Sequence, residues 1–286
     1  MTSGRPKPSP AQCEVIRRFD THNGTCMQFV HDVATFLNQF APPELAAEWD
    51  NVGLLMGDPQ APVERVMTCL TITPQSAAEA VRQQANLIVT HHPLPFRPVR
   101  RITVDAHDGR LLWELARHGI AIYSPHTAFD STHNGINQQL AQGVGLTSIE
   151  PLLPSDSDVG TGRQGRLAKA CGLDELAARV KSFLKLDTLQ IVGATGREVE
   201  RIAIACGSAG ELLPAAAAAG CDCLITGELR FHDCLAAEAF GLAVVLAGHY
   251  ASERFAVEVL AQLLAKEFGN LTVWASCDEQ DPLRWV

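Results

Sequence analysis

The chain has 286 residues, of which 47% are apolar and 19% are charged, a composition that is ordinary for a globular protein. Its formal net charge of −9 weighs against a general nucleic-acid-binding surface and against an anionic membrane surface. The sequence has no apolar run long enough for a transmembrane helix and no secretory signal in its first 26 residues, so we expect a cytoplasmic protein without membrane contact.

The first predicted element is an amphipathic helix that follows an irregular amino-terminal segment. Residues 1–26 predict a disordered tail, and the folded part is expected to cover residues 27–286. Pro42 and Pro43 end the predicted helix. Its apolar residues fall at helical spacing: Val30, Val33, Phe36, Leu37 and Phe40.

A repeated spacing then divides the chain into two halves. The first half contains a strand at 66–70, then a helix, then a second strand that ends at Thr90. The second half repeats this order at the same spacing, with a strand at 202–206, a helix and a strand that ends at Thr226. Strands that alternate with helices favour parallel pairing. We therefore predict an α/β fold of two pseudo-repeated lobes, about 27–150 and about 160–286, with mixed, largely parallel sheets.

Two adjacent histidines follow the second strand of the first half. The segment LIVTHHPLPF places His91 and His92 directly after a buried strand, where ligands gather in open α/β sheets. Adjacent side chains diverge, so each ring could serve one of two metal ions. A polar turn in which one ring caps a helix is the alternative.

Two further histidines each precede a carboxylate by four residues. SPHTAFD contains His126 and Asp130, and AGHYASE contains His249 and Glu253. If a helix begins there, each pair shares one helix face, although helix capping and an acidic first turn would give the same pattern. Because all three motifs follow buried strands at corresponding places, they predict one dinuclear metal site in a cleft shared by the two lobes.

The segment TGELRFHD is the second-half counterpart of the THHP motif. It offers Glu228 and His232, which we predict to be catalytic proton-transfer groups or substrate contacts. Exposed positions at the start of a helix are the alternative. The segment EWDNVG, residues 48–53, predicts either a shaped loop beside a site or a tight turn.

In these motifs the chain resembles the NGG-interacting factor three-like family of dinuclear metal proteins, often named type 2 GTP cyclohydrolase I. The resemblance covers about residues 27–286 and is carried, in order, by EWDNVGLLMGDP, LIVTHHPLPF, SPHTAFDSTHNGINQQLA, CDCLITGELRFHD and AGHYASE. It implies a two-lobed α/β fold that assembles into a toroidal hexamer with interior metal sites. It also implies that His126 lies beside the metals or among their ligands, and that the ligands are His91, His92, Asp130, His249 and Glu253.

Two classes of function fit these expectations. The first is a hydrolase in which two divalent ions (zinc, iron or manganese) activate water against a small-molecule substrate, by GTP ring opening or by phosphoester or C–N hydrolysis. The second is a non-catalytic metal-binding scaffold, metal chaperone or regulatory interaction protein. Since the chain has no P-loop, GTP is supported by the family name alone.

Overall fold

The computed structural model describes residues 27–155 and 159–284, and the tail predicted for residues 1–26 lies outside them. The strands are β1 (Gln28–Phe29), β2 (Gly53–Met56), β3 (Pro62–Val63), β4 (Arg65–Cys69), β5 (Leu87–Thr90), β6 (Ala121–Ser124), β7 (Leu146–Glu150), β8 (Leu153–Pro154), β9 (Gly160–Thr161), β10 (Arg163–Gly172), β11 (Gln190–Val192), β12 (Glu198–Ser208), β13 (Cys223–Glu228), β14 (Ala243–Leu246) and β15 (Thr272–Ala275). The helices are α1 (Val30–Phe40), α2 (Pro74–Arg82), α3 (His107–Arg117), α4 (His126–Ser131), α5 (Ile136–Gly143), α6 (Leu173–Leu184), α7 (Leu213–Ala218), α8 (Phe231–Ala239) and α9 (His249–Glu267).

The described residues form two compact units. Unit 1 contains residues 27–39, 49–126 and 257–284, and unit 2 contains residues 40–48, 127–155 and 159–256. No helix in the described part of the chain is long and apolar enough to cross a membrane.

Unit 1 is built on a five-stranded sheet with the order β15-β4-β5-β6-β2. The first three pairings are parallel, and β2 joins β6 in antiparallel orientation. The residues of β5 and β6 are buried on both faces, which explains why their sequences are continuous apolar runs rather than alternating ones. Helix α2 begins at Pro74, directly after Thr73, which forms a capping box with Ser76 in the first turn.

Unit 2 is built on a six-stranded sheet with the order β11-β14-β13-β12-β10-β7. Strands β12, β13 and β14 are parallel, and the other pairings are antiparallel. The β12–α7–β13 unit repeats the β4–α2–β5 unit of unit 1, as the repeated spacing predicts. The α/β class with mixed sheets is therefore confirmed.

The parallel strands explain where polar side chains collect. Strands that run in the same direction end at the same edge of a sheet, so residues just beyond them become neighbours. In unit 1 this edge follows β4, β5 and β6, and it collects the segments that begin at Leu70, His91 and Pro125. In unit 2 the corresponding edge follows β12, β13 and β14.

Candidate metal centre

Three histidine rings cluster at the carboxyl edge of the unit 1 sheet. The ring centroids of His91 and His92 are 5.1 Å apart, and those of His126 lie 5.1 Å and 5.6 Å from them. Each ring offers a nitrogen within 4.8 Å of the ligand nitrogens of the other two. His91 and His126 are buried, and His92 is partly buried. Three imidazoles at these distances form a donor set that zinc, iron or manganese accepts.

The backbone of the histidine pair is held by hydroxyl groups from neighbouring strand ends. Ser124 Oγ donates to the carbonyl oxygen of His91 at 2.7 Å. Thr90 Oγ1 lies 3.0 Å from the carbonyl oxygen of His92 and donates to it. Both hydroxyl groups belong to buried residues, so these bonds fix the direction in which the two rings leave the end of β5.

Oxygen atoms also contact the Nδ1 atoms of two of these rings. Asp50 Oδ1 is 2.7 Å from His126 Nδ1, and the Asp50 side chain is fully covered. Thr71 Oγ1 is 2.7 Å from His92 Nδ1. When an oxygen accepts the Nδ1 proton, the lone pair of the imidazole is left on Nε2, where a metal can bind. Asp50 and Thr71 thus suit His126 and His92 to metal ligation through Nε2.

Unit 2 brings His249 together with two carboxylates. His249 Nε2 is 3.2 Å from Glu253 Oε2, and His249 Nδ1 is 3.0 Å from Glu228 Oε1. The hydrogen bond with Glu253 is the largest of the influences that raise the pKa of His249 to about 9, and Glu228 adds to it. Glu253 is buried, whereas the Glu228 side chain is 51% exposed. Glu228 therefore contacts the ring nitrogen on the solvent side, opposite Glu253.

Two glycines let the first turn of α9 lie directly on the strand ends. A Cβ atom on Gly207, which has a φ of +62°, would overlap Glu253 Oε1. A Cβ atom on Gly227 would lie 2.7 Å from Ser252 Oγ and 2.9 Å from His249 Cα. The backbone N–H of Gly207 donates to Ser252 Oγ at 3.0 Å. Close approach of this turn to the sheet brings the buried Glu253 carboxylate to the end of β12.

Asp130 lies in α4 and accepts a hydrogen bond from a cysteine thiol. Cys206 Sγ is 3.2 Å from Asp130 Oδ1, and the backbone N–H of Cys206 donates to Asn137 Oδ1 at 2.7 Å. Burial, followed by the charges of Asp130 and Glu253, raises the pKa of the Cys206 thiol well above its usual value. The thiol therefore stays protonated as a donor, and both carboxylates are close enough to act on it.

His232 is placed differently from the other predicted residues. It lies in the first turn of α8 with an exposed side chain, and its ring contacts that of Phe231 at 5.5 Å between centroids. The structure thus assembles two groups of predicted residues, each within one unit. In unit 1 these are His91, His92 and His126; in unit 2 they are Asp130, Glu228, His249 and Glu253.

Sequence reasoning missed two residues that contact these groups, Thr71 and Cys206. Thr71 was not predicted, although it follows β4 at the same sheet edge as the histidine pair. Cys206, near the end of β12, was interpreted only as part of a buried strand. The rule that ligands gather at the carboxyl ends of parallel strands could have found both. Asp50 falls in residues 48–53, for which the sequence predicts either a shaped loop beside a site or a tight turn.

Comparison with known proteins gives one family. The family model described as Duf34/NIF3 (NGG1p interacting factor 3) matches residues 28–282. A GTP cyclohydrolase 1 type 2 homolog of Clostridium acetobutylicum is 33% identical over 238 residues, 82% of this chain and 89% of the relative. A protein NIF3 homolog of Schizosaccharomyces pombe is 34% identical over 259 residues, 84% of this chain and 92% of the relative.

Solved structures agree with this result. A Bacillus cereus protein related to NIF3 superposes with a TM-score of 0.84 at 22% identity, covering 92% of this chain and 100% of that one, and it shows the shared fold. A Staphylococcus aureus protein superposes with a TM-score of 0.82 at 27% identity, covering 91% of this chain and 99% of that one. The chain belongs to the Duf34/NIF3 (NGG1p interacting factor 3) family.

Proposed function

We propose that this protein binds two divalent metal ions and uses them in hydrolysis. The observation that carries the proposal is a shared contact of three histidine rings. His92, His126 and His249 each have an oxygen atom at hydrogen-bond distance from Nδ1, which favours metal binding at Nε2. The proposed ligands are His91, His92, Asp130, His249 and Glu253, with His126 as a further donor. Neutral imidazole and carboxylate donors suit zinc, iron and manganese.

The chemistry follows from the proposed ions and the residues around them. Two divalent ions, when bound, would lower the pKa of a water molecule and polarise the bond to be cleaved. Carboxylates such as Asp130 and Glu253 can each bind two cations, whereas an imidazole nitrogen binds one. Glu228 has one oxygen at His249 Nδ1 and half of its side chain in solvent, so it can also hold or release a proton.

The names of the curated relatives support hydrolysis of a C–N bond in a purine nucleotide. A GTP cyclohydrolase 1 type 2 of Helicobacter pylori is 32% identical to this chain over 239 residues. At this identity we propose only the reaction class, hydrolysis of a C–N bond. GTP is the first substrate to test, with opening of its purine ring as the reaction to be measured. A phosphoester is the second substrate to test, because two-metal centres also stabilise the leaving oxygen in phosphoryl transfer.

A non-catalytic metal-binding scaffold, chaperone or regulatory protein is the second candidate. It is favoured by the placement of the two predicted catalytic groups: Glu228 already contacts His249, and the exposed His232 ring packs against Phe231. A scaffold needs metal retention but no free proton-transfer group. The two functions therefore differ in turnover, not in metal content.

We also propose that the protein assembles into a toroidal hexamer. Isolated exposed apolar residues are common on monomers, whereas several in one segment indicate an interaction surface. Unit 1 exposes four large apolar side chains between residues 96 and 104: Phe96, Val99, Ile102 and Val104.

Elemental analysis of untagged protein tests the metal centre. We expect about two divalent ions per wild-type chain and a marked loss in His91→Ala and in Glu253→Ala. His118→Ala is the matched control, because this exposed histidine contacts Glu114 on α3 and belongs to neither ligand group. Wild-type protein without metal, before and after incubation with zinc, iron or manganese, would contradict the proposal. GTP and phosphoester turnover would then be assayed in the metal-loaded protein.

A further inference from the structure

The segment that follows β15 is hydrogen-bonded to the buried carboxylate of Glu79 in α2. Glu79, which is 2% exposed, accepts hydrogen bonds from the Trp274 side chain at 3.0 Å and from Ser276 Oγ at 2.7 Å. Its Oε2 also accepts the backbone N–H groups of Cys277 at 3.0 Å and Asp278 at 2.9 Å. A carboxylate with four donors holds the backbone of this segment in one position.

The next residue of the segment, Glu279, reaches the carboxyl end of β4. It is 7% exposed, and its two oxygens accept the backbone N–H groups of Leu70 at 2.9 Å and Thr71 at 2.6 Å. Charge-assisted bonds of this kind are among the stronger hydrogen bonds in proteins. The position of Thr71 is therefore set by a residue that lies more than two hundred positions away in the sequence.

Thr71 then contacts the proposed metal ligand. Its Oγ1 is 2.7 Å from His92 Nδ1. If His92 binds a metal through Nε2, Nδ1 carries the proton and donates it to this hydroxyl oxygen. The hydroxyl thus determines both the rotation of the ring and the nitrogen that faces the metal.

We propose that Glu279 and Thr71 are positioning residues for His92, with Glu279 holding the Thr71 backbone and Thr71 Oγ1 accepting the Nδ1 proton. This relay rests on the proposed metal centre, because it acts only through a metal ligand. Its role is to prepare the ring before the ion arrives, which raises metal affinity.

Zinc affinity of the full-length metal-free protein, measured by competition with a chromophoric chelator, tests the relay. We expect Thr71→Val to weaken zinc binding by roughly 10–100-fold, the usual effect of losing such a partner. Thr71→Ser keeps the hydroxyl and should restore most of the affinity. Glu279→Ala should weaken binding as well, whereas Asp278→Ala, which removes only an exposed ion pair with Arg82, should not.

A double-mutant cycle separates a relay from general loosening of the fold. If Glu279 acts through Thr71, Glu279→Ala should add little to the loss of zinc affinity already caused by Thr71→Val. Glu279→Gln, which keeps one acceptor oxygen, replaces the alanine variant if that variant does not fold. Additive losses, or a Thr71→Val protein with wild-type affinity, would overturn the relay while leaving the metal centre intact. A wild-type chain that binds no zinc, iron or manganese would overturn both.

Discussion

At the scale of single residues, the recurring feature is an oxygen at the Nδ1 atom of a histidine. The oxygens differ in kind: a covered carboxylate, a hydroxyl and a half-exposed carboxylate. They occur in both units. At His92 and His126 the oxygen at Nδ1 favours Nε2 as the nitrogen for a metal, whereas His249 Nε2 lies 3.2 Å from Glu253 Oε2, itself a proposed ligand. The pairs are Asp50 with His126, Thr71 with His92, and Glu228 with His249.

Glu228 has two alternative roles that one pair of substitutions distinguishes. Glu228→Gln keeps an oxygen that can accept from His249 Nδ1 but cannot transfer a proton, whereas Glu228→Ala removes both properties. If Glu228 is a proton-transfer group, the glutamine variant should retain metal and lose turnover by about 100-fold or more. If it only positions His249, the glutamine variant should keep turnover and the alanine variant should lose metal.

The measurement is metal content and steady-state turnover on the same preparations. Glu238→Gln is the control, because this residue lies in α8 of the same unit and is absent from the ligand groups. An alanine variant with wild-type metal content and turnover would exclude both roles for Glu228.

At the scale of elements, local patterns predicted the strand–helix–strand units that precede the proposed ligands. The strands expected at 66–70 and 202–206 are found as β4 and β12, and the strand expected to end at Thr90 is β5. These elements were predictable because their buried apolar runs and flanking turns are local signals. The histidine motifs follow directly from them.

Strand β10 was not predicted, and its sequence explains why. It begins with Arg163, a residue type that is almost never fully buried, yet this side chain is 1% exposed. Its guanidinium donates to four backbone carbonyl oxygens. Two belong to Ser131, the last residue of α4, and to Thr132, and two belong to Gly160 and Gly162. Ser131 and Thr132 lie 32 and 31 positions away in the sequence, so the residues around position 163 contain no sign of these two acceptors.

The contact between α9 and the strand ends gives a prediction at this scale. Gly207→Ala should displace the Glu253 carboxylate, because the new Cβ would overlap Oε1. The positive φ of Gly207 adds a strain of about 1–2 kcal/mol. We therefore expect both a lower unfolding free energy and a loss of metal, measured by thermal denaturation and elemental analysis.

Gly241→Ala is a closely matched control for that substitution. Gly241 has a φ of +66°, close to that of Gly207, but a Cβ atom there would meet no atom within 4 Å. It should lose a similar amount of stability from backbone strain and keep its metal. Equal metal content in the two variants would show that the close approach of α9 is not needed to hold Glu253.

At the scale of the whole molecule, the family could be predicted because five motifs occur in order along one chain, and the α/β class because strands alternate with helices. The pairing of β15 with β4 could not, since nothing near residues 272–275 indicates a partner two hundred positions earlier. The Glu79 and Glu279 contacts depend on that pairing, because it brings the segment after β15 to α2 and to the end of β4. A long-range pairing therefore brings Glu279 to the backbone of Thr71, the residue that contacts His92.

The exposed apolar segment at residues 96–104 gives the last prediction. If it forms part of a hexamer interface, the double substitution Ile102→Lys and Val104→Lys should bury two charges there and dissociate the assembly. Sedimentation should then show a smaller species. Leu283→Lys is the control, because that side chain is 68% exposed and lies outside the segment. An unchanged mass in the double variant would exclude these residues from the interface, and a monomeric wild-type protein would contradict the hexamer itself. Metal content measured in the same samples shows whether the ligands need the assembly: retention of the metals by dissociated chains means that one chain supplies all of them.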